Sequence, residues 1–441
     1  MFSKLRFRLE LLYHHLKKRW FFILIGFVVG IIALTNYKKI LNYYQQNRHS
    51  VSTIGIKGLY TRDNLPESIS TLISTGLTTL NTNNKPQPSS LVQSIDSQED
   101  QLRYIFHLRP GIYWHNLQPF NSSHISYQPK GVKLTPLDPN TLQITLELPY
   151  SPILSDLSHP LFLPNSLIGL GDYKVTTATY QDGHLKLLSL RHTTLPKTII
   201  YRFYSNETNL INAYKLGEVD QIEVDRLPPE FSQWPKTVIH QNIDTNSRYL
   251  AVFFNTQKIN NKQTRQALSY ATPKTSDLHE RSFGPISPNS WAYNSKVKEY
   301  DFNPQRAKEL FKDNTIDQIT LLVLDRNLLD TANAITKSWK DILNIDAHFS
   351  LENQPPSDYD AILSLGAIPT DPDQYAFWHS TQKTNITHLN NSRIDKLLEE
   401  GRQTYDQQER KKIYLDFQRF LLEESPATFL SFPITYTIQR S

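Results

Sequence analysis

The run from Trp20 through Tyr37, WFFILIGFVVGIIALTNY, holds 18 consecutive uncharged residues, the first fifteen of them apolar or glycine. That length is close to the lower bound for a helix crossing the hydrocarbon core of a bilayer. Downstream the pattern changes twice. Between residues 53 and 150, short alternating runs such as Tyr104 to Leu108 and Thr141 to Leu148 are separated by Pro, Asn and Asp turns, and they predict strands with little helix. After Arg248 a strand over 251–255 gives way to a helix over 264–271. Asn303 and Pro304 then supply the N-cap and first-turn residues of a helix through Phe311. A strand over 318–324, a helix over 330–343 with Ala332, Ile335, Trp339 and Ile342 on one face, and a strand over 345–350 follow in βαβ order, which predicts a parallel sheet under helices. Two helices occupy the end of the chain. The second opens on Asp406 and Glu409 as a capping box and sets Ile413, Tyr414, Phe417, Phe420 and Leu421 at helical spacing.

Charge orients the apolar run. Residues 1–50 carry nine Lys or Arg and one acid, Glu10. Lys4, Arg6, Arg8, Lys17, Lys18 and Arg19 precede the run and only Lys38, Lys39 and Arg48 follow it closely. The positive-inside bias therefore predicts a cytoplasmic basic segment over 1–19, a transmembrane helix over 20–37 embedded in a lipid bilayer, a polar spacer over 38–52, and an outside location for the rest. A cleaved signal peptide fits less well, because the basic region is long, the apolar run exceeds a usual signal core and no A-x-A site follows Ala33. Past residue 50 the chain holds 38 bases against 41 acids, so the formal charge of +5 belongs to the anchor and no nucleic-acid partner is expected. With no cysteine, the chain can have no disulfide, thiol nucleophile, cysteine-held metal or lipidated N-terminal cysteine.

Motifs for catalysis are mostly absent. None of the 14 histidines forms H-x-x-x-H, and neither G-x-S-x-G nor a phosphate loop occurs, so no metal site or cofactor is expected. Asp371 and Asp373 flank Pro372. Such a pair serves acid–base work, metal binding or capture of a cation, and equally an N-cap for a helix over 374–378.

Several segments, in order, resemble the extracellular solute-binding proteins of family 5, the oligopeptide-, dipeptide- and nickel-binding receptors of ABC importers. They are Tyr104 to Asn116 (YIFHLRPGIYWHN) with Pro119 and Phe120, where Asn116 and Leu117 replace the family's Asp-Gly; Gly217 to Asp220; Phe254 to Thr256 with Arg265 to Leu268; Gly284 to Pro288 with Trp291, Tyr293 and Asn294; Asp371 and Pro372; Ile394 to Leu398; Arg410; and Pro426. The resemblance implies an α/β, two-lobed periplasmic-binding-protein-like fold of class II, with a small mainly β subdomain, here preceded by one transmembrane helix. It places lobe 1 with the subdomain at 53–247, lobe 2 at 248–428 and a return to lobe 1 at 429–441. It implies a non-enzymatic receptor that closes on a peptide or peptide-like small solute and presents it to an ABC permease and its ATPase, with Tyr60, Trp291, Tyr293, Gly366, Ala367, Ile368, Asp371 and Trp378 at the ligand. Alternatives are a ligand-sequestering receptor without a transporter, or a membrane-bound hydrolase using Asp371 and Asp373 with His379. In the family's peptide receptors an aspartate three residues before the acid-Pro pair meets the peptide's α-amino group; the matching position here is Ile368. Ile368 therefore predicts a more apolar or uncharged solute, gripped by Trp291, Tyr293 and Trp378. The segment between His124 and Pro129 is also shorter than the helical insertion usual there.

Overall fold

A computed structural model describes residues 50–440 except 82–83, 99–100, 128–130, 275–279 and 313–315, together with Trp20 and Thr35. The expected segments over 1–19 and 20–37 and most of the 38–52 spacer thus lie outside the described residues. Among the described residues no helix is long and apolar enough to cross a membrane.

The chain begins with β1 (Ser50–Lys57) and α1 (Glu67–Ile73). The hairpin β2 (Thr78–Leu80) and β3 (Pro86–Pro88) leads to β4 (Val92–Ser97), β5 (Arg103–Leu108), β6 (Val132–Asp138), β7 (Thr141–Leu146) and the short α2 (Ile153–Asp156). Next come β8 (Tyr173–Gln181), β9 (His184–His192), β10 (Lys197–Tyr204), α3 (Glu207–Leu216), β11 (Gln221–Val224) and β12 (Thr237–Ile243). The second half runs β13 (Arg248–Phe254), α4 (Lys262–Ala271), α5 (Pro304–Phe311), β14 (Gln318–Val323), α6 (Leu329–Leu343), β15 (Asp346–Leu351) and β16 (Ala361–Ala367). It ends with α7 (Tyr375–Trp378), α8 (Ser392–Gln403), α9 (Gln407–Glu424), β17 (Ala427–Ser431) and β18 (Ile434–Arg440).

Three larger sheets, beside the two-stranded β2-β3 pair, organise these elements. Seven strands in the order β12-β18-β11-β1-β10-β9-β8 build lobe 1, five in the order β15-β14-β16-β13-β17 build lobe 2, and β4-β5-β7-β6 form an antiparallel subdomain spliced into lobe 1. Alternation explains the subdomain: Tyr104, Phe106 and Leu108 point into its core, against Trp114, Leu142 and Ile144. In lobe 2, α6 buries Ala332, Ile335, Trp339 and Leu343 on the sheet, and Ile342 is only partly buried. Asn303 accepts from Arg306 N at 2.9 Å and starts α5, and Asp406 accepts from Glu409 N at 2.9 Å and starts α9. On α9 the buried stripe is Tyr414, Phe417, Leu421 and Leu422.

The predicted parallel sheet is a mixed one. The βαβ unit β14-α6-β15 is parallel, as is β14 with β16, but β13 is antiparallel to both β16 and β17. The reason is connectivity, because β13 carries the chain into lobe 2 and β17 carries it out, side by side. In lobe 1, β12 and β18 are the matching antiparallel neighbours. Only residues 244–247 and 432–433 join the two large sheets, and Asp244 N donates to Pro433 O at 2.9 Å between them. β17 stays in the lobe 2 sheet through Ser431, so the return falls three residues after the expected 428 boundary, and β1 begins at Ser50, inside the expected spacer.

Candidate functional site

The carboxyl ends of sheet strands are where α/β folds leave a crevice, since neighbouring connections part there. Between the lobes lies a cleft of about 850 Å³. Lobe 1 contributes the end of β1, Tyr60, and the stretch from Gln221 to Arg226; lobe 2 contributes Arg248, Leu250, Asp325, Asn327 and Leu365, and the strand return adds Phe432 to Thr435. Its ionisable lining is balanced, with Lys57, Arg226 and Arg248 against Glu223, Asp225 and Asp325. Lys57 Nζ is bound by Asp225 and by Glu207 at 3.2 Å. Partial burial disfavours the Lys57 ammonium, but its two acidic partners outweigh that and hold its pKa above the ordinary lysine value. Arg226 reaches across the cleft to Asn327 O at 2.6 Å and Asp330 Oδ2 at 3.2 Å.

A second cavity of about 270 Å³ also lies between the lobes, bordered by Glu67 from lobe 1 and by Asn246, Ser247, Ile286, Ile368, Pro369 and Gln374 from the other side.

The predicted site residues separate into groups. Tyr60 lines the large cleft, its ring 5.5 Å from Phe203, and Ile368 lines the small one. Gly366 and Ala367 end β16 opposite Tyr249 and Arg248. A Cβ on Gly366 would come within 2.3 Å of the Tyr249 ring, so close packing of the sheet requires glycine there. Trp378 is 1% exposed and packs with Phe253 and Phe429 in the lobe 2 core. Trp291 lies against Tyr414, and Tyr293 is half-buried, with burial raising its phenol pKa. None of these three aromatics lines either cavity, and Trp378 could reach a solute only by repacking the core. Trp378 thus belongs to the lobe 2 core and Trp291 is partly buried against the same cluster, where aromatic rings remove large apolar areas from water.

Asp371 and Asp373 are engaged with arginines. Arg410 holds both oxygens of Asp371, with Nη1 to Oδ2 at 2.8 Å, and Arg402 donates twice to Asp373 Oδ2, at 3.0 and 2.7 Å. Burial disfavours the Arg410 guanidinium, but the Asp371 pairing outweighs it and raises its pKa. Each aspartate also caps the turn into α7, Asp371 accepting from Asp373 N and Asp373 from Tyr375 N. His379 turns away, toward Thr381 Oγ1 at 2.9 Å and Glu399 Oε1 at 3.2 Å. An acid, a base and a histidine converging on one free space are thus not assembled here. Among the described residues no three His, Cys, Asp or Glu side chains cluster so as to hold a metal ion.

The same aspartates sit at a seam with the subdomain. Ser151 N donates to Arg402 O and Tyr150 N to the Tyr405 hydroxyl, both at 2.8 Å, and the Ser155 hydroxyl lies 3.5 Å from Asp371 Oδ2. Asp156 accepts from the Tyr150 hydroxyl at 2.7 Å. Burial raises the Asp156 pKa, and repulsion from Asp371 and Asp373 adds to it against that hydrogen bond. Sequence reasoning missed Glu67, Lys57, Asp225, Arg226 and Arg248 as cavity-lining residues. The available signal was position alone: Lys57 ends a strand, and Arg226 closely follows one.

The family model for "Bacterial extracellular solute-binding proteins, family 5 Middle" matches residues 122–387. The chain is 22% identical over 440 residues to heme-binding protein A of Haemophilus influenzae, covering 76% of this chain and 77% of that one. It is 27% identical over 209 residues to oligopeptide-binding protein AppA of Bacillus subtilis, where it spans only 38% of the relative's length and 39% of its own. In three dimensions it resembles NikZ from Campylobacter jejuni, solved in complex with Ni(L-His), with a TM-score of 0.73 at 22% identity over 89% of this chain and 94% of the other.

Proposed function

The chain belongs to the bacterial extracellular solute-binding proteins of family 5, and from that premise we propose that it is a membrane-anchored receptor that closes two lobes on a peptide or peptide-like solute and delivers it to an ABC permease with its ATPase. The observation that carries the reading is the cleft of about 850 Å³ between two sheets joined by only two short strand connections. Such a pair of connections concentrates backbone rotation in a few residues, and a rigid-body closure then needs no change within either sheet. Peptide is favoured because the cleft mixes paired charges with apolar walls, suiting a solute that carries amides, charges and side chains together. The ligand named for AppA is an oligopeptide. The apolar run over 20–37 supplies the anchor, with the basic residues before it on the cytoplasmic side.

Two experiments test this. Full-length protein in detergent is titrated with defined peptides while its radius of gyration is followed by small-angle scattering. Compaction without hydrolysis of the peptide is expected, and a solute that binds with no change in dimensions would overturn the closure. Alkaline carbonate washing of cell membranes should leave the chain in the pellet; release into the wash would overturn the anchor.

A further inference from the structure

The large cleft lies at the carboxyl end of β1, and the opposite end of that strand is where the chain arrives from the apolar run. Ser50 pairs there with Lys197, the first residue of β10, and its N–H donates to Pro196 O at 2.9 Å. Twelve residues, 38–49, separate Ser50 from the run, and even a fully extended chain of that length spans no more than about 45 Å. This corner of lobe 1 is basic. Strands β8, β9 and β10 hold Lys174, Lys186, Arg191, Lys197 and Arg202 and no Asp or Glu. Lys174 stands directly opposite Arg191, Arg191 opposite Thr198, and Thr198 opposite Val51, so the four share one face of the sheet across about 14 Å. On that face α3 packs over β1, β10 and β11, and Lys174 and Arg191 beyond it are exposed. Like charges directly opposite each other destabilise a sheet, and neither base has an acidic partner among the described residues. Lys197, Leu195 in the turn before it, and Val51 are exposed at the same corner. Two carboxylates stand close by, Asp172 just before β8 and Asp220, which accepts from Thr53 N at 3.0 Å.

We propose that this corner, with Lys174, Arg191 and Lys197 as its charges and Val51 and Leu195 as its apolar tips, docks on the anionic phospholipid head groups of the bilayer that the chain's own apolar run enters. Charge and tether together select that occupant. Basic side chains are drawn to an anionic membrane surface within a Debye length of it, and the short span from residue 37 to Ser50 keeps this corner close to that surface. A lipid phosphate between Lys174 and Arg191 turns their mutual repulsion into two attractions, while Val51 and Leu195 lose apolar area to the interface. Docked in this way, lobe 1 holds its cleft, at the other end of β1, clear of the bilayer. The inference rests on the membrane-anchored reading above.

The chain has no cysteine, so Thr193→Cys, in the exposed turn between β9 and β10, gives one attachment point for a fluorescent donor. Full-length labelled protein is reconstituted into vesicles of phosphatidylcholine alone or of phosphatidylcholine mixed with phosphatidylglycerol, both carrying an acceptor on a small fraction of the head groups. Energy transfer should be higher with phosphatidylglycerol and should fall to the phosphatidylcholine level at high salt. Lys174→Gln combined with Arg191→Gln should lower the ratio of docked to undocked protein about tenfold or more, since two bases near the surface are removed. The same double variant should keep or raise the thermal midpoint, because an opposed pair of like charges is gone; a purely structural role for the two bases would lower it. Transfer that is equal in the two lipids, or that survives the double variant, overturns the docking while leaving the anchor intact. Transfer that follows protein density instead of phosphatidylglycerol content assigns the corner to a second copy of the chain and equally overturns it. Protein that fails to float with either vesicle overturns the anchored reading, and the docking with it.

Discussion

Asp371 and Arg410 face each other with side chains only 10% and 6% exposed, so each ion has given up most of its water for the other. Removing one partner strands the other. Arg410→Ala should cost about 3–5 kcal/mol, seen as a large fall in the thermal midpoint, and Asp371→Leu combined with Arg410→Met should recover most of it. The Asp373–Arg402 pair, where Arg402 keeps 29% exposure, should cost less to break. Gly366→Ala should cost about 1–3 kcal/mol through overpacking against Tyr249, and less than additively in a Tyr249→Leu background, where the ring is gone. At this scale the sequence was ambiguous. Asp-Pro-Asp fits a helix start, an acid pair or a cation site, and the outcome depended on Arg402 and Arg410, which no spacing rule connects to Asp373 and Asp371.

Elements with strong local signals formed where the pattern put them. Asn303, Pro304 and Asp406 start their helices, and the alternating run through Tyr104 forms a strand with one buried face, because caps and periodicity act over a few residues. The mixed order of the lobe 2 sheet was not legible, because strand direction there follows from where the chain enters and leaves. How α2 docks against α8 and the loop from Asp371 to Asp373 was equally hidden. Asp156 on α2 faces the Tyr150 hydroxyl and His159 from its own lobe, and from lobe 2 Asp371 and Asp373, which are paired with Arg410 and Arg402. Its pKa is raised by burial and by those carboxylates, so the docked arrangement prefers the protonated acid. The sign follows: docking is strongest below the ordinary aspartate range and weakens as pH rises through the raised value. The protection factor of the Ser151 amide, which donates to Arg402 O, should therefore fall as pH rises across that window, and Asp156→Asn should remove this dependence.

Across the whole molecule, Arg226 spans the cleft on one side and the Tyr150–Tyr405 contact joins subdomain to lobe 2 on another. Arg226 and Asp330 are both well exposed, so their ion pair contributes at most about 1 kcal/mol. Arg226→Ala should then leave the unfolding midpoint nearly unchanged while speeding solute release up to about fivefold, measured by stopped-flow displacement. The family, the mixed α/β class and the division of texture near Arg248 were legible because hydrophobic periodicity and ordered motif segments are properties of neighbouring residues. The apolar run over 20–37, with its flanking bases, is likewise a statement of the sequence itself. What only the tertiary structure decided is which side chains meet. It put Trp378 in the core and locked Asp371 to Arg410. It also brought Glu67 and Gln374 to the border of one small cavity, because those encounters depend on sheet order and lobe approach between residues well separated along the chain, by 39 positions for Asp371 and Arg410.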